Sequence, residues 1–143
     1  MKLNKLCQAL ITSSILTTTT AMAHTTENKM LATNEIQWQQ LGETPIEYAV
    51  IWGDREAGAN GTYLKLPSGF EVGVHGHSHN YNGVTIQGVW EHKFEGEWKQ
   101  LPPGSYVSQK GGELHNDRCT SKEDCILLIQ QDDHSDAFFP PAK

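Results

Sequence analysis

Short runs of β-branched and aromatic residues, recurring at nearly regular spacing and punctuated by glycine- and proline-rich turns, constrain this chain more than any other feature. The expected strands cover residues 36–41, 47–52, 62–66, 70–77, 83–94, 98–101, 105–109 and 125–131. Turn chemistry separates most of them: residues 53–61, Pro67-Ser68-Gly69, Glu95-Gly96-Glu97, Pro102-Pro103-Gly104 and Gly111-Gly112. No stretch of helical period reaches three turns, and there is no internal repeat. Many short strands with such turns imply a sandwich or barrel, so the expected fold class is all-β.

The opening residues have a different character. Lys2 and Lys5 precede an uncharged stretch, residues 6–23, that ends in Ala21-Met22-Ala23. A basic start, a mildly apolar middle and an Ala-x-Ala end describe a secretory signal peptide over residues 1–23. Its apolar centre, residues 9–16, is too short and too polar to span a bilayer. Cleavage after Ala23 would leave residues 24–143: a polar leader over 24–34 and one folded domain over 35–143. The expected location is the periplasm or the medium. Losing Lys2 and Lys5 takes the formal charge from −6 to −8. Without a basic cluster, so acidic a chain argues against nucleic acid or, once the signal is removed, a membrane as partner.

Of three cysteines, Cys7 falls in the signal segment and Cys119 and Cys125 remain. Flanking a polar turn in an oxidising compartment, these two read as a disulfide that closes a short hairpin loop. A thiolate pair for metal or redox sensing is the other reading, and predicted export disfavours it.

The chemistry concentrates in His75-Gly76-His77-Ser78-His79. Alternate residues of a strand share a face, so His75 and His77 can aim two imidazoles at one point. A third histidine from a distant strand would complete three corners of a metal site. His79 has the same parity, but Asn80, Asn82 and Gly83 suggest that the chain is already turning, leaving it a possible alternative ligand, a rim residue or a solvated one. His92, between Glu91 and Lys93, is expected to face solvent. His134 lies among Asp132, Asp133 and Asp136 in an expected exposed acidic tail. His24 would become the amino terminus, where amine and ring can chelate copper. If Tyr81 points at the site, parity puts Gly83, Thr85 and Gln87 on the pocket side and Val84 and Ile86 opposite. Trp90, Tyr63, Tyr106 and Gln130 are further candidates for the pocket wall. No serine or cysteine nucleophile with a base at recognisable spacing is present, nor a phosphate-binding loop.

The spacing Gly69-(five)-His75-x-His77-(three)-Tyr81-(six)-Gly88 resembles the first motif of the cupin superfamily. Gly104-(five)-Lys110-x-Gly112-(two)-His115 resembles the second, with Cys119 at the usual asparagine. Trp52-Gly53-Asp54-Arg55, Gly104-Ser105-Tyr106-Val107 and Gly111-Gly112-Glu113-Leu114-His115 narrow the likeness to small exported cupins of unknown function. These are similar in turn to the cupin domain of zinc-dependent anti-sigma factors and to three-histidine dioxygenases. The resemblance implies a single-domain jelly-roll β-barrel with His75, His77 and His115 at metal-ligand positions. It puts Tyr81 where the family usually has glutamate. Tyr81 is then a fourth ligand as phenolate or a hydrogen-bond donor to what binds there. Three neutral histidines would leave a divalent ion at +2, a stronger Lewis acid than one neutralised by a carboxylate.

The implied cofactor is one divalent transition metal, zinc or iron, with copper, nickel and manganese open, since imidazole suits several of them. The implied activity is that of a metal-dependent, dioxygenase-like enzyme acting on a small organic molecule. The alternative is a non-enzymatic module, zinc-loaded, that binds or senses a ligand or partner. Structural zinc or metal capture is a third reading. A homodimer is expected, as single-domain cupins tend to pair.

Overall fold

The structure, a computed structural model, describes residues 28–141. The expected signal peptide, with Cys7, and the expected amino-terminal His24 lie outside the described residues. The chain divides into two compact units, residues 1–30 and 31–143. Of the first, residues 28–30 are described and have no regular secondary structure. The second opens with a 3-10 turn, Thr33–Glu35, across the expected boundary between leader and domain.

Among the described residues nine strands follow: β1 (Gln39–Gln40), β2 (Glu47–Gly53), β3 (Asn60–Leu66), β4 (Tyr81–Gln87), β5 (Trp90–Phe94), β6 (Glu97–Leu101), β7 (Tyr106–Gln109), β8 (Asn116–Cys119) and β9 (Cys125–Gln131). They form a six-stranded sheet, β1-β2-β3-β9-β4-β7, and a three-stranded sheet, β6-β5-β8. Every strand pairing is antiparallel. The fold is the expected all-β jelly roll, built as two separate ladders and not as one closed barrel. Among the described residues, no helix is long and apolar enough to cross a membrane.

Alternation fixes which side chains meet between the sheets. In β4, Tyr81, Gly83 and Thr85 are buried while Ile86 is exposed, as parity requires. In β9, Cys125, Leu127, Ile129 and Gln131 point inward. Tyr81, Leu127 and Ile129 of the large sheet pack in one core cluster with Trp90 of β5. Cys119 and Cys125 form the expected disulfide, joining the end of β8 to the start of β9.

Several expected strands are redrawn. Residues 70–77 make only isolated bridges, Glu71↔Arg118, His75↔His115 and Gly76↔Phe138, because the left-handed backbone at Gly73 (φ 91°) interrupts any continuous ladder. Residues 83–94 are not one strand: the chain crosses between sheets at Gly88-Val89, so β4 and β5 lie in different sheets. Of residues 36–41 only Gln39–Gln40 pair. β8, too polar to read as a strand, is held between β5 and the bridge at Glu71.

Residues 132–136 lie at the surface, as expected, but not as a free tail. Asp136 accepts hydrogen bonds from the Ser78 backbone N–H (2.9 Å) and the Ser78 hydroxyl. Ser135 donates its N–H to the Arg55 carbonyl at 2.8 Å. Gly76 and Phe138 exchange two backbone hydrogen bonds, both 2.9 Å. This C-terminal segment is therefore a strap lying across the histidine-bearing chain.

Candidate metal centre and its pocket

His75 and His115 are positioned by a reciprocal backbone pair, with N–H···O distances of 2.9 and 2.8 Å. Such a pair sets the two side chains side by side, and the ring centroids are 4.3 Å apart. His77, two residues on, shares their face, and its carbonyl is fixed by the Gly112 N–H at 2.7 Å. Gly76 lies between the two histidines because the strap passes too close for a side chain: an added Cβ would sit 2.6 Å from the Phe138 ring.

Each of the three rings turns its Nδ1 towards a backbone carbonyl. His75 donates to Gly73 O (2.8 Å), His77 to Asp136 O and His115, at longer range, to Glu113 O (3.4 Å). With Nδ1 carrying the proton, Nε2 keeps its lone pair for the interior. One ring nitrogen from each histidine falls within 4.8 Å of the others. Burial lowers the pKa of His77, and lowers that of His115 to about 4, where neighbouring imidazoles reinforce it against the opposing pull of Asp117. Neutral imidazoles at neutral pH are the form that ligates.

The acidic group that the histidine spacing lacks is present, but not at position 81. Asp117 of β8 is buried, and its Oδ2 lies 3.6 Å from His75 Nε2 and 3.4 Å from His115 Nε2. Its Oδ1 accepts hydrogen bonds from Trp90 Nε1 (2.7 Å) and His92 Nδ1 (2.8 Å). Burial alone would raise the Asp117 pKa, yet the hydrogen bond from His92 and the surrounding imidazoles outweigh it and hold the group below the usual carboxylate value. A divalent ion held by the three histidines would therefore meet one negative charge close by, where the sequence reading counted none. Residues 115 and 117 share a strand face, the same parity that pairs His75 with His77, and that signal was available in the sequence.

His92 is buried, not solvent-facing, and its Nε2 lies 3.1 Å from Gln109 Oε1. Its charged neighbours Glu91 and Lys93 occupy the opposite parity and say nothing about its own face. Tyr81 is 3 % exposed, with its hydroxyl 3.3 Å from His115 Nε2. Burial, reinforced by Asp117, pushes that hydroxyl well above its ordinary pKa, so it is a neutral phenol. Of its two expected roles, a phenol suits the hydrogen-bond donor.

His79 does not join the triad. It groups instead with Asp133 and His134 near the surface, its ring 4.7 Å from that of His134. Of the four further wall candidates, Trp90 lines the pocket, whereas Tyr63 lines a separate groove. Tyr106 and Gln130 are exposed.

His75, His77, Tyr81 and Asp117 line a cavity of about 410 Å³, within the usual size range of small-molecule sites. Its walls are mainly apolar, with Leu64, Leu66, Leu127 and Ile129 from the large sheet. Ser135, Asp136, Ala137 and Phe139 of the strap form part of its boundary.

The two-sheet jelly roll is the fold of the cupin proteins. Within that class the chain belongs to the family described as Domain of unknown function (DUF4437), whose profile matches residues 22–136. No curated protein matches it. Among solved structures it is similar to an RmlC-like cupin from Ralstonia eutropha, with 24 % identity, a TM-score of 0.61 and coverage of 75 % of this chain and 69 % of that one. It is also similar to the anti-sigma ChrR of Rhodobacter sphaeroides, solved with SigE, at 22 % identity and a TM-score of 0.59; the match covers 71 % of this chain and 52 % of that one. The polyketide cyclase RemF of Streptomyces resistomycificus matches at 13 % identity and a TM-score of 0.64, over 80 % of this chain and 88 % of that one. At these identities the likeness is one of fold.

Proposed function

We propose that this protein is an exported, metal-dependent enzyme of cupin type that acts on a small organic molecule, with an oxygenase reaction where the ion is iron. The observation that carries the reading is the convergence of the imidazoles of His75, His77 and His115, the first two of which line an open, largely apolar cavity. The donor set fits a borderline transition ion, because imidazole nitrogen suits zinc, iron, copper and nickel, and the nearby carboxylate adds a hard oxygen. His75, His77 and His115 would hold it, with Asp117 as fourth ligand or as their close electrostatic partner. The ion would supply Lewis acidity and, if iron, redox chemistry.

The chain's own groups do the rest. Backbone carbonyls fix the three ring tautomers, and Trp90 and His92 fix Asp117 in its ionised form. Tyr81 keeps its proton and can donate it in a hydrogen bond to a substrate oxygen beside His115. The aliphatic walls exclude water and give an apolar substrate body its contact surface. An open cavity favours this reading over sealed structural zinc, whose coordination is normally closed. Export is supported by the basic, apolar and Ala-Met-Ala pattern of residues 1–23 and by the Cys119–Cys125 disulfide.

Metal analysis of protein recovered from the periplasm tests the centre. The wild type should carry one divalent transition ion per chain, and a His75→Ala/His115→Ala double variant essentially none. Equal metal in both would overturn the site. Fe(II)-loaded protein that consumes no O2 with any diketone or phenolic substrate would remove the oxygenase and leave a ligand-binding role.

A further inference from the structure

Among the described residues, Arg55 is the one Lys or Arg side chain that lines the cavity. It follows β2 in a turn that Asp54 closes on itself: the Asp54 carboxylate accepts the Glu56 N–H at 2.9 Å, and its carbonyl accepts the Gly58 N–H at 3.0 Å. Arg55's own carbonyl anchors the strap through Ser135. The backbone on both sides of the guanidinium is thus held in place.

The side chain itself has no acidic partner. Among the described residues no carboxylate lies within ion-pair distance of the guanidinium, which sits 5.1 Å from the centroid of the Tyr48 ring. Of the acids that line the cavity, two are engaged elsewhere and the third, Glu56, makes no ion pair with Arg55. Asp136 is bound by Ser78 and Asp117 by Trp90 and His92. Glu56 is exposed and acts on Arg55 only at longer range. Burial lowers the Arg55 pKa, a sign of a partly desolvated cation. A guanidinium cannot relieve such a cost by losing its proton, so an anion supplied from outside is its natural complement.

We infer that the cavity is built for a small organic acid, whose carboxylate pairs with Arg55 while its other polar end reaches the three-histidine centre. The aliphatic walls between the two would take an apolar body of short chain length or a single ring. A guanidinium presents paired N–H donors in a fork that matches a carboxylate, which neutral walls cannot imitate. Arg55 is then a specificity-determining residue, and it selects acids over their amides and esters. The inference rests on reading the cavity as the ligand site of a metal centre.

Zinc-reconstituted protein is titrated calorimetrically with the monohydroxamates of linear dicarboxylic acids from succinate to suberate, each beside the analogue whose free carboxylate is an amide. The hydroxamate end addresses the histidines and the other end addresses Arg55. For at least one chain length the acid should bind wild type about tenfold or more tightly than its amide, as expected for a charge-assisted pair. Arg55→Gln should abolish that preference and Arg55→Lys keep part of it, with zinc content and thermal unfolding unchanged. Equal binding of acid and amide at every length, or a preference that survives in Arg55→Gln, overturns the inference. If the protein holds no zinc, the metal reading fails by itself, and hexanoate against hexanamide on the metal-free protein replaces the probe. An acid preference lost in Arg55→Gln then upholds the Arg55 site, and its absence overturns it.

Discussion

Asp117 sits at the junction of the centre's two hydrogen-bond systems. One of its oxygens accepts hydrogen bonds from Trp90 and His92, and the other faces the Nε2 atoms of His75 and His115. Asp117→Asn keeps the shape and removes the charge, so it should weaken metal binding about 10- to 100-fold while the chain still folds. Competition with a chelator of known affinity measures this, and unchanged affinity would mean that Asp117 serves packing alone. Tyr81→Phe should do the opposite: metal affinity stays within about twofold, ligand binding or turnover falls, and stability drops by about 1 kcal/mol through the lost buried hydrogen bond. Loss of metal in Tyr81→Phe would reinstate the tyrosine as a ligand. Both residues show how far local pattern reaches. His75, His77 and His115 are readable because histidines at this spacing have few competing explanations. Asp117 shares the parity of His115, but Asn116-Asp117-Arg118 is a run of polar residues that looks like a surface turn, and its pairing with β5 is what carries that parity inward.

At the scale of the element, β4 and β9 follow their alternation closely, because each has one face against the core. The segment 70–77 does not, since its backbone is spent on three separate bridges to β8, to His115 and to the strap. No periodicity in the segment itself encodes those partners. The break between β4 and β5 was also illegible: apolar residues continue through Gly88, and the switch of sheet is set by what each half finds opposite it. Gly83 marks one such meeting, where an added Cβ would lie 2.9 Å from the Trp90 ring and 3.2 Å from Ile129. Gly83→Ala should therefore cost about 1–3 kcal/mol by overpacking, read from denaturant unfolding. A neutral result would show that Trp90 can shift without penalty. The disulfide belongs to this scale as well. A ring closed over a sequence separation of six constrains the unfolded chain modestly, so Cys119→Ser/Cys125→Ser should cost about 2 kcal/mol. His115 lies upstream of the ring, so metal stoichiometry should be unchanged in that variant.

Across the whole domain, the centre joins pieces of chain that the sheets alone connect weakly. His75 and His77 come from the interrupted segment, His115 leads into the small sheet, and the strap holds His77 through Asp136 O. An ion bound to all three histidines would act as a cross-link between these pieces. Because the unfolded chain has no preformed site, binding free energy adds to folding free energy. With free zinc at about a hundredfold above its dissociation constant, the linkage amounts to about 2.7 kcal/mol. Thermal unfolding should accordingly move upward on zinc addition and return on chelation, with no such shift in His75→Ala/His115→Ala. Hydrogen exchange locates the effect: amide protection at Gly76 and Phe138, whose bridge seals the strap to the ligand segment, should fall on metal removal. Protection in β3 and β9, paired along their whole length in the large sheet, should change little. A uniform loss across both sheets would mean that the ion supports the fold globally. Loss confined to the strap would mean that the metal centre and the boundary of its cavity are ordered together, so that the metal-loaded form also has the better-formed pocket.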